Sequence, residues 1–160
     1  MGFLPDRSEV VIRYLLESRS IEQPEKECIL FENEERWTYK AALFEGYKAA
    51  NTLAGHGIQS GENILIFLPN GQDWIRAWWG TTFLGAVIVP VNTAYKGEML
   101  RHICQDSQAR HIITLPDLAT RVKTLELDLH IIEPASLIGG SQGEPKLKKP
   151  IEPWDIHAIN

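Results

Sequence analysis

Apolar and polar positions along residues 61–114 follow a rhythm that defines the class of fold. Three short apolar runs, Ile64–Leu68, Ala86–Val91 and His111–Thr114, are separated by two stretches whose apolar residues recur every three or four positions. Continuous apolar runs of this length suit strands covered on both faces, and the three- and four-residue spacing suits amphipathic helices. The order is strand, helix, strand, helix, strand. Each crossover has about the dozen residues that a parallel β-α-β unit requires.

The flanks extend the pattern. Val11, Ile12, Leu15 and Leu16 make one apolar face of a helix over Ser8–Ser18, with Ser8 as its cap. A polar loop at Glu22–Glu27 leads to a short strand, Cys28–Glu32, and a turn at Asn33–Arg36 feeds a second at Trp37–Tyr39, which predicts a β-hairpin. Thr38 then caps a helix on which Leu43, Tyr47, Ala50 and Ala54 share a face, and Gly55 and Gly57 end it. Asn70 is placed to cap the next helix, Gln72–Leu84, with Asp73 completing a short capping box. Trp74 and Trp78 lie on one side of that helix and Ile75, Trp79 and Thr82 on another, so something besides the central sheet is expected to pack on it. The helix Gly97–Ser107 is expected to present Met99, Leu100, Ile103 and Cys104 to the core. A helix at Asp117–Leu125 and a strand at Leu129–Ile132 follow.

After Glu133 the periodicity stops. Pro134, Gly139, Gly140, Gly143, Pro145, Pro150 and Pro153 punctuate a stretch that reads as loop or linker. The expected organisation is a layered α/β body over 1–133, with a mostly parallel sheet flanked by helices and a small N-terminal β-hairpin, and a loop or linker over 134–160.

Composition narrows the partners. The net charge is −5, with acids and bases intermixed, so no basic stripe invites nucleic acid. Lys146, Lys148 and Lys149 read as a solvated loop. Two cysteines, Cys28 and Cys104, read as small buried hydrophobes in a reducing compartment. The start, MGFLPDRSEV, has neither a basic region nor an apolar block. No apolar stretch approaches the length of a membrane span, roughly 20 residues. A cytoplasmic protein is the expectation.

Catalytic signatures are scarce. No G-x-x-x-x-G-K-[ST], G-x-G-x-x-G or G-x-S-x-G occurs. Gly139–Gly143 is glycine-rich but lacks the flanking strand and helix of a phosphate loop. The five histidines, His56, His102, His111, His130 and His157, are scattered, without metal-ligand spacing. Trp74 and Trp78, with Trp79, either wall an apolar ligand pocket or are simply core.

Four motifs in order add a resemblance. Trp37-Thr38-Tyr39 before a helix resembles the first core motif of the adenylate-forming enzymes, which include acyl-CoA synthetases, luciferases and peptide-synthetase adenylation domains. Ile66-Phe67-Leu68-Pro69-Asn70 resembles the strand and turn that follow. Leu84-Gly85-Ala86-Val87-Ile88-Val89-Pro90-Val91-Asn92 is similar to the second core motif, A-G-A-x-x-x-P-x-N. The run Asn92–Leu100 looks most like CoA ligases of the crotonobetaine/carnitine and fatty-acid type.

The resemblance implies an N-terminal subdomain of the adenylate-forming fold, a piece of an enzyme roughly three times as long, in the size range of multidomain proteins. It implies ATP, magnesium and CoA as the whole enzyme's cofactors, a carboxylic acid as substrate, and the remainder of the large domain with a C-terminal domain as partners. The phosphate loop S-G-T-T-G-x-P-K-G would follow Pro153–Asn160, so no catalytic residue is expected in this chain and no cofactor is expected to bind it. In some relatives a basic residue after P-x-N meets the CoA phosphates. Ala94 stands at that position, and Lys96, two residues on, either replaces it or is a plain solvated lysine. Two roles stay open: a scaffold piece of an acyl-CoA synthetase that self-associates through the faces its missing neighbours would cover, or a stand-alone, non-catalytic binding or interaction module.

Overall fold

The structure, a computed structural model, describes residues 5–159. The reading of the first residues as free of a targeting signal falls partly outside that range.

The helix expected at Ser8–Ser18 is two. α1 spans Arg7–Val10 and α2 spans Ile12–Glu22, with Val11 between them in an extended conformation. Asp6, not Ser8, caps α1 by accepting the Ser8 N–H at 2.9 Å. Breaking the helix at Val11 buries that residue and turns Arg13 inward.

The hairpin forms as expected, from β1 (Glu27–Leu30) and β2 (Arg36–Thr38), with a register shift between Glu27 and Ile29. At its tip Glu34 has a φ of 65°. There Asn33 Oδ1 accepts the Glu35 N–H at 3.2 Å, a side-chain turn common where the backbone is left-handed. Thr38 caps α3 (Tyr39–Gly55) through a 3.2 Å bond from Ala41 N–H. Gly55 is the last helical residue. Gly57, with a φ of 85°, supplies the left-handed exit.

Four parallel strands make the main sheet: β3 (Asn63–Phe67), β4 (Val87–Pro90), β5 (His111–Thr114) and β6 (His130–Ile132). Their spatial order is β4-β3-β5-β6. α4 (Gln72–Phe83) joins β3 to β4, α5 (Gly97–Asp106) joins β4 to β5, and α6 (Pro116–Lys123) joins β5 to β6. Alternate strand residues face opposite sides. Ile64, Ile66 and Ile113 pack with α3 and α4 on one face, while Leu65, Phe67 and Ile112 pack with α5 and α6 on the other.

Burial of α4 on a second side has its partner within the chain. α3 lies along it, so closely that Gly46 faces Phe83 and Gly80 faces Ala49 where a Cβ would collide. The second partner expected on this helix is therefore α3, at least over Ala77–Phe83. No side chain caps α4. Gly71, not Asn70, holds the cap position, with a φ of 149°, which a residue with a Cβ rarely adopts. Met99, expected in the core, is 58% exposed, because α5 turns only Leu100 and Cys104 fully inward.

The stretch read as loop or linker holds a 3₁₀ helix, Pro134–Gly139, whose Leu137 is fully buried against α3 and α4. Beyond it the chain is irregular yet anchored. Asn51 Nδ2 donates to the carbonyls of Ser141 and Gly143 at 2.9 and 2.8 Å. Ile151 is buried, and its N–H donates to the Tyr14 hydroxyl at 3.0 Å. Ala158 then bridges Ile88 in parallel, adding a short pairing at the free edge of β4.

Candidate functional site

In open parallel sheets ligands gather outside the carboxyl ends of strands, where neighbouring connections leave in opposite directions. β3 leads to α4 on one face and β5 leads to α6 on the other, so that position lies at the ends of Phe67 and Thr114. A cleft of about 450 Å³ opens beside the exit of β3, between the hairpin tip (Phe31–Asn33) and the turn Pro69–Asp73.

A polar network adjoins it through Gln72 and Asp73. Gln72 Nε2 donates to Glu35 Oε2 at 2.7 Å and the Trp37 indole N–H donates to Glu35 Oε1 at 3.1 Å. Those two bonds hold the Glu35 carboxyl below its ordinary range and tie the hairpin to the first turn of α4. Arg76, almost fully buried, donates to Glu45 at 2.6 Å and to Asp73 at 3.0 Å. Its guanidinium lies 5.0 Å over the Trp37 ring, within reach of a cation–π attraction. Lys48 also pairs with Glu45. A lining of carboxylates and amides, Glu32, Asn33, Asn70, Gln72 and Asp73, offers hydrogen bonds but no nucleophile with a base.

Lys96 is exposed at the carboxyl end of β4, extended at the cap position of α5, and no ion pair engages it among the described residues. Just before it, Asn92 Oδ1 accepts the Ala94 N–H at 2.9 Å, a turn-forming bond. Arg121 donates to the Thr93 carbonyl at 2.8 Å, and the two contacts shape the segment that carries Lys96. Trp74 and Trp78 are half-buried on α4, with ring centroids 5.5 Å apart. They lie on the opposite face of the sheet from α5, so the structure does not bring them to Lys96. The indole N–H of neighbouring Trp79 is buried without a partner.

Three features escape sequence reasoning. Arg13 is 1% exposed and donates to Glu17 (2.8 Å), the Phe83 carbonyl (3.0 Å), Glu144 (2.7 Å) and the Pro145 carbonyl (3.2 Å). Tyr47 donates to the same Glu17 oxygen at 2.8 Å, and burial first, then that carboxylate, pushes its phenol up. A charged residue on the apolar side of a helix, at Arg13 as at Arg76, is the signal that could have found both. The third is a gathering of His56, His111 and His130, expected to be scattered, at the amino end of the sheet. Parallel pairing of residue 111 with 130 creates it, and no spacing within the sequence shows it. Among the described residues no group of histidine, cysteine or carboxylate side chains is placed to hold a metal ion, and no helix is long and apolar enough to cross a membrane.

Comparison with known proteins adds names to this geometry. The family model described as AMP-binding enzyme matches residues 16–157. The chain is 28% identical over 127 residues to a long-chain-fatty-acid–CoA ligase of Bacillus subtilis (strain 168), a match covering 78% of this chain and 22% of that protein. It is 31% identical over 93 residues to a crotonobetaine/carnitine–CoA ligase of Citrobacter koseri, covering 56% of this chain and 18% of the relative. Among solved structures it superposes on the N-terminal subdomain of Klebsiella oxytoca NpsA, determined in complex with 3-hydroxybenzoyl-AMSN, with a TM-score of 0.80 at 19% identity. That superposition covers 94% of this chain and 37% of the other. The chain thus spans about a fifth of the length of the curated relatives it matches.

Proposed function

Because the chain belongs to the AMP-binding enzyme family, we propose that it is the N-terminal α/β portion of an ATP-dependent acyl-CoA synthetase. The whole protein would join a carboxylic acid to the α-phosphorus of ATP with release of pyrophosphate, then pass the acyl group to the thiol of CoA with release of AMP. The observation that carries this reading is the family match along residues 16–157, shared with relatives that are CoA ligases of fatty and carnitine-type acids.

On this reading residues 1–133 are scaffold, and 134–160 lead the chain along the free edge of β4 toward the phosphate-binding loop. ATP, magnesium and CoA bind only the whole protein, which works in the cytoplasm. The packing of Gly139–Gly143 supports the scaffold role. Asn51 takes two of its carbonyls, and Gly140 abuts the Lys48 carbonyl, so this glycine run is a fitted joint and not a phosphate cradle. Lys96 is the proposed contact for a CoA phosphate, with Trp74 and Trp78 as part of the acid pocket's wall.

The test is the whole protein supplied with MgATP, CoA and a panel of fatty and carnitine-type acids. Acid-dependent pyrophosphate release and thioester formation are expected, and no release with any acid would overturn the proposal. Lys96→Ala is expected to raise KM for CoA severalfold while leaving adenylate formation unchanged. An unaltered KM removes Lys96 from the site. The 160-residue chain alone is expected to give no calorimetric heat with MgATP, and to self-associate in sedimentation across micromolar concentrations.

A further inference from the structure

The amino end of the parallel sheet, opposite the cleft, gathers three imidazoles from distant parts of the chain. His111 opens β5 and His130 opens β6, and the strand register sets them abreast. Their rings meet edge to face with centroids 5.5 Å apart, and the ring of His56, at the exit of α3, lies 5.5 Å from that of His130. Glu62, Arg110 and Asp128 complete the lining of a pocket of about 360 Å³ between them. The rings pack edge to face or tilted and do not converge on a point, so the arrangement concerns protons and not a metal.

The cluster sits at the start of β6, whose Ile132 is anchored in the core. β6 is a short strand at the edge of the sheet, where one side lacks a pairing neighbour. It is fixed by its pairing to β5 and by the His130 N–H, which donates to the Arg110 carbonyl at 2.8 Å. We propose that the cluster forms a pH-sensitive clasp centred on His111, which holds β6 on β5 while that ring is neutral and loosens β6 and the turn before it in mild acid.

The charges facing the cluster give the direction. α3 contributes His56, the turn before β3 contributes Glu62, β5 and its approach contribute Arg110 and His111, and the turn before β6 contributes Asp128 along with His130 on the strand itself. Arg110 already engages Glu62 at 2.6 Å, leaving Asp128 as the free carboxylate among these groups. A positive charge on His111 would face the charge of Arg110 next to it in sequence and the rings packed against it, which oppose it. Burial first, then the neighbouring His130, holds the His111 ring below its ordinary range. A histidine depressed in the fold takes up protons more readily when released. The local stability is therefore whole above about pH 6.5 and declines as pH falls through the folded value of His111.

The test is hydrogen exchange, read as protection factors at pH 7.5, 6.5 and 5.5 in the intact chain and in His111→Gln and His130→Gln. Protection of the β6 amides is expected to fall severalfold over this range, because the released chain takes up the proton more readily than the fold does. Protection in β3 is expected to hold, and both glutamine variants are expected to flatten the dependence. Constant β6 protection, an equal fall in β3, or an unchanged dependence in the variants would each overturn the clasp. Should His111→Gln fail to fold, His130→Gln, at an exposed position, carries the same readout.

Discussion

Gly80→Ala probes the contact that organises one whole face of the sheet. At an open helical position, exchanging glycine for alanine stabilises by about 0.5–1 kcal/mol, because alanine gives up less backbone freedom on folding. At residue 80 the added Cβ would lie 2.6 Å from Ala49 Cβ, 3.0 Å from Ala49 C and 3.1 Å from Ala50 N. Carbon atoms in contact settle at about 3.5–4.0 Å, so the intrusion is about 1 Å. Two of the three opposing atoms are backbone of α3, and no rotamer change relieves them. The helices must part, which opens the layer of Leu43, Tyr47, Ala50 and Phe83.

Overpacking of this kind costs about 1–3 kcal/mol, which exceeds the helical gain. A net loss of about 1–2 kcal/mol is expected. Urea unfolding would show it as a lower midpoint at constant slope, and heating as a fall of about 2–8 °C. Gly55→Ala is the internal control. It ends α3, the helix that Gly80 abuts, with nothing within 4 Å of an added Cβ and no positive φ. That change is expected to gain a few tenths of a kcal/mol. If Gly80→Ala matched or exceeded the parent's stability, the close approach of α3 and α4 would not exist as described.

Other expectations follow from single contacts. Gly140→Ala would drive a Cβ into the Lys48 carbonyl oxygen, so residues 140–149 should detach and become sites of limited proteolysis while the sheet survives; resistance equal to the parent's would contradict the packing. Arg13→Met should cost about 1–3 kcal/mol in thermal or urea unfolding, chiefly from leaving the Phe83 and Pro145 carbonyls unpaired. A neutral result would show the guanidinium to be dispensable. Burial pushes the Cys104 thiol up to about 11, leaving roughly a hundredfold fewer thiolates than an ordinary thiol. Iodoacetamide at pH 8 should therefore modify Cys104 only on unfolding, and rapid native labelling would refute its burial.

Much of the fold is legible because periodicity reports burial directly. β3, β4 and β5 are apolar at nearly every position since helices cover both faces, and Thr38 announces α3 because a hydroxyl there satisfies a free N–H. Two kinds of feature were hidden. Backbone geometry was one: Val11 interrupts the first helix and Gly71 replaces Asn70 as the cap, since φ and ψ there are chosen by packing that residue types do not reveal. Long-range pairing was the other. Arg13 meets Glu144 across 131 positions, and His111 meets His130 only through strand register. The candidate site was less legible for the same reason. Pro69 and Asn70 were visible as a turn, but the hairpin tip that faces them, and the Glu35–Gln72 bond that holds the two together, belong to tertiary structure.

Whether this α/β body serves a larger acyl-CoA synthetase is tested most directly by reading the gene's frame for the few dozen codons after that of Asn160. An open frame that runs into a serine-, threonine- and glycine-rich phosphate loop of the form S-G-T-T-G is expected. A stop codon directly after Asn160 would contradict it, and would turn this protein from part of a catalyst into a binding or interaction module.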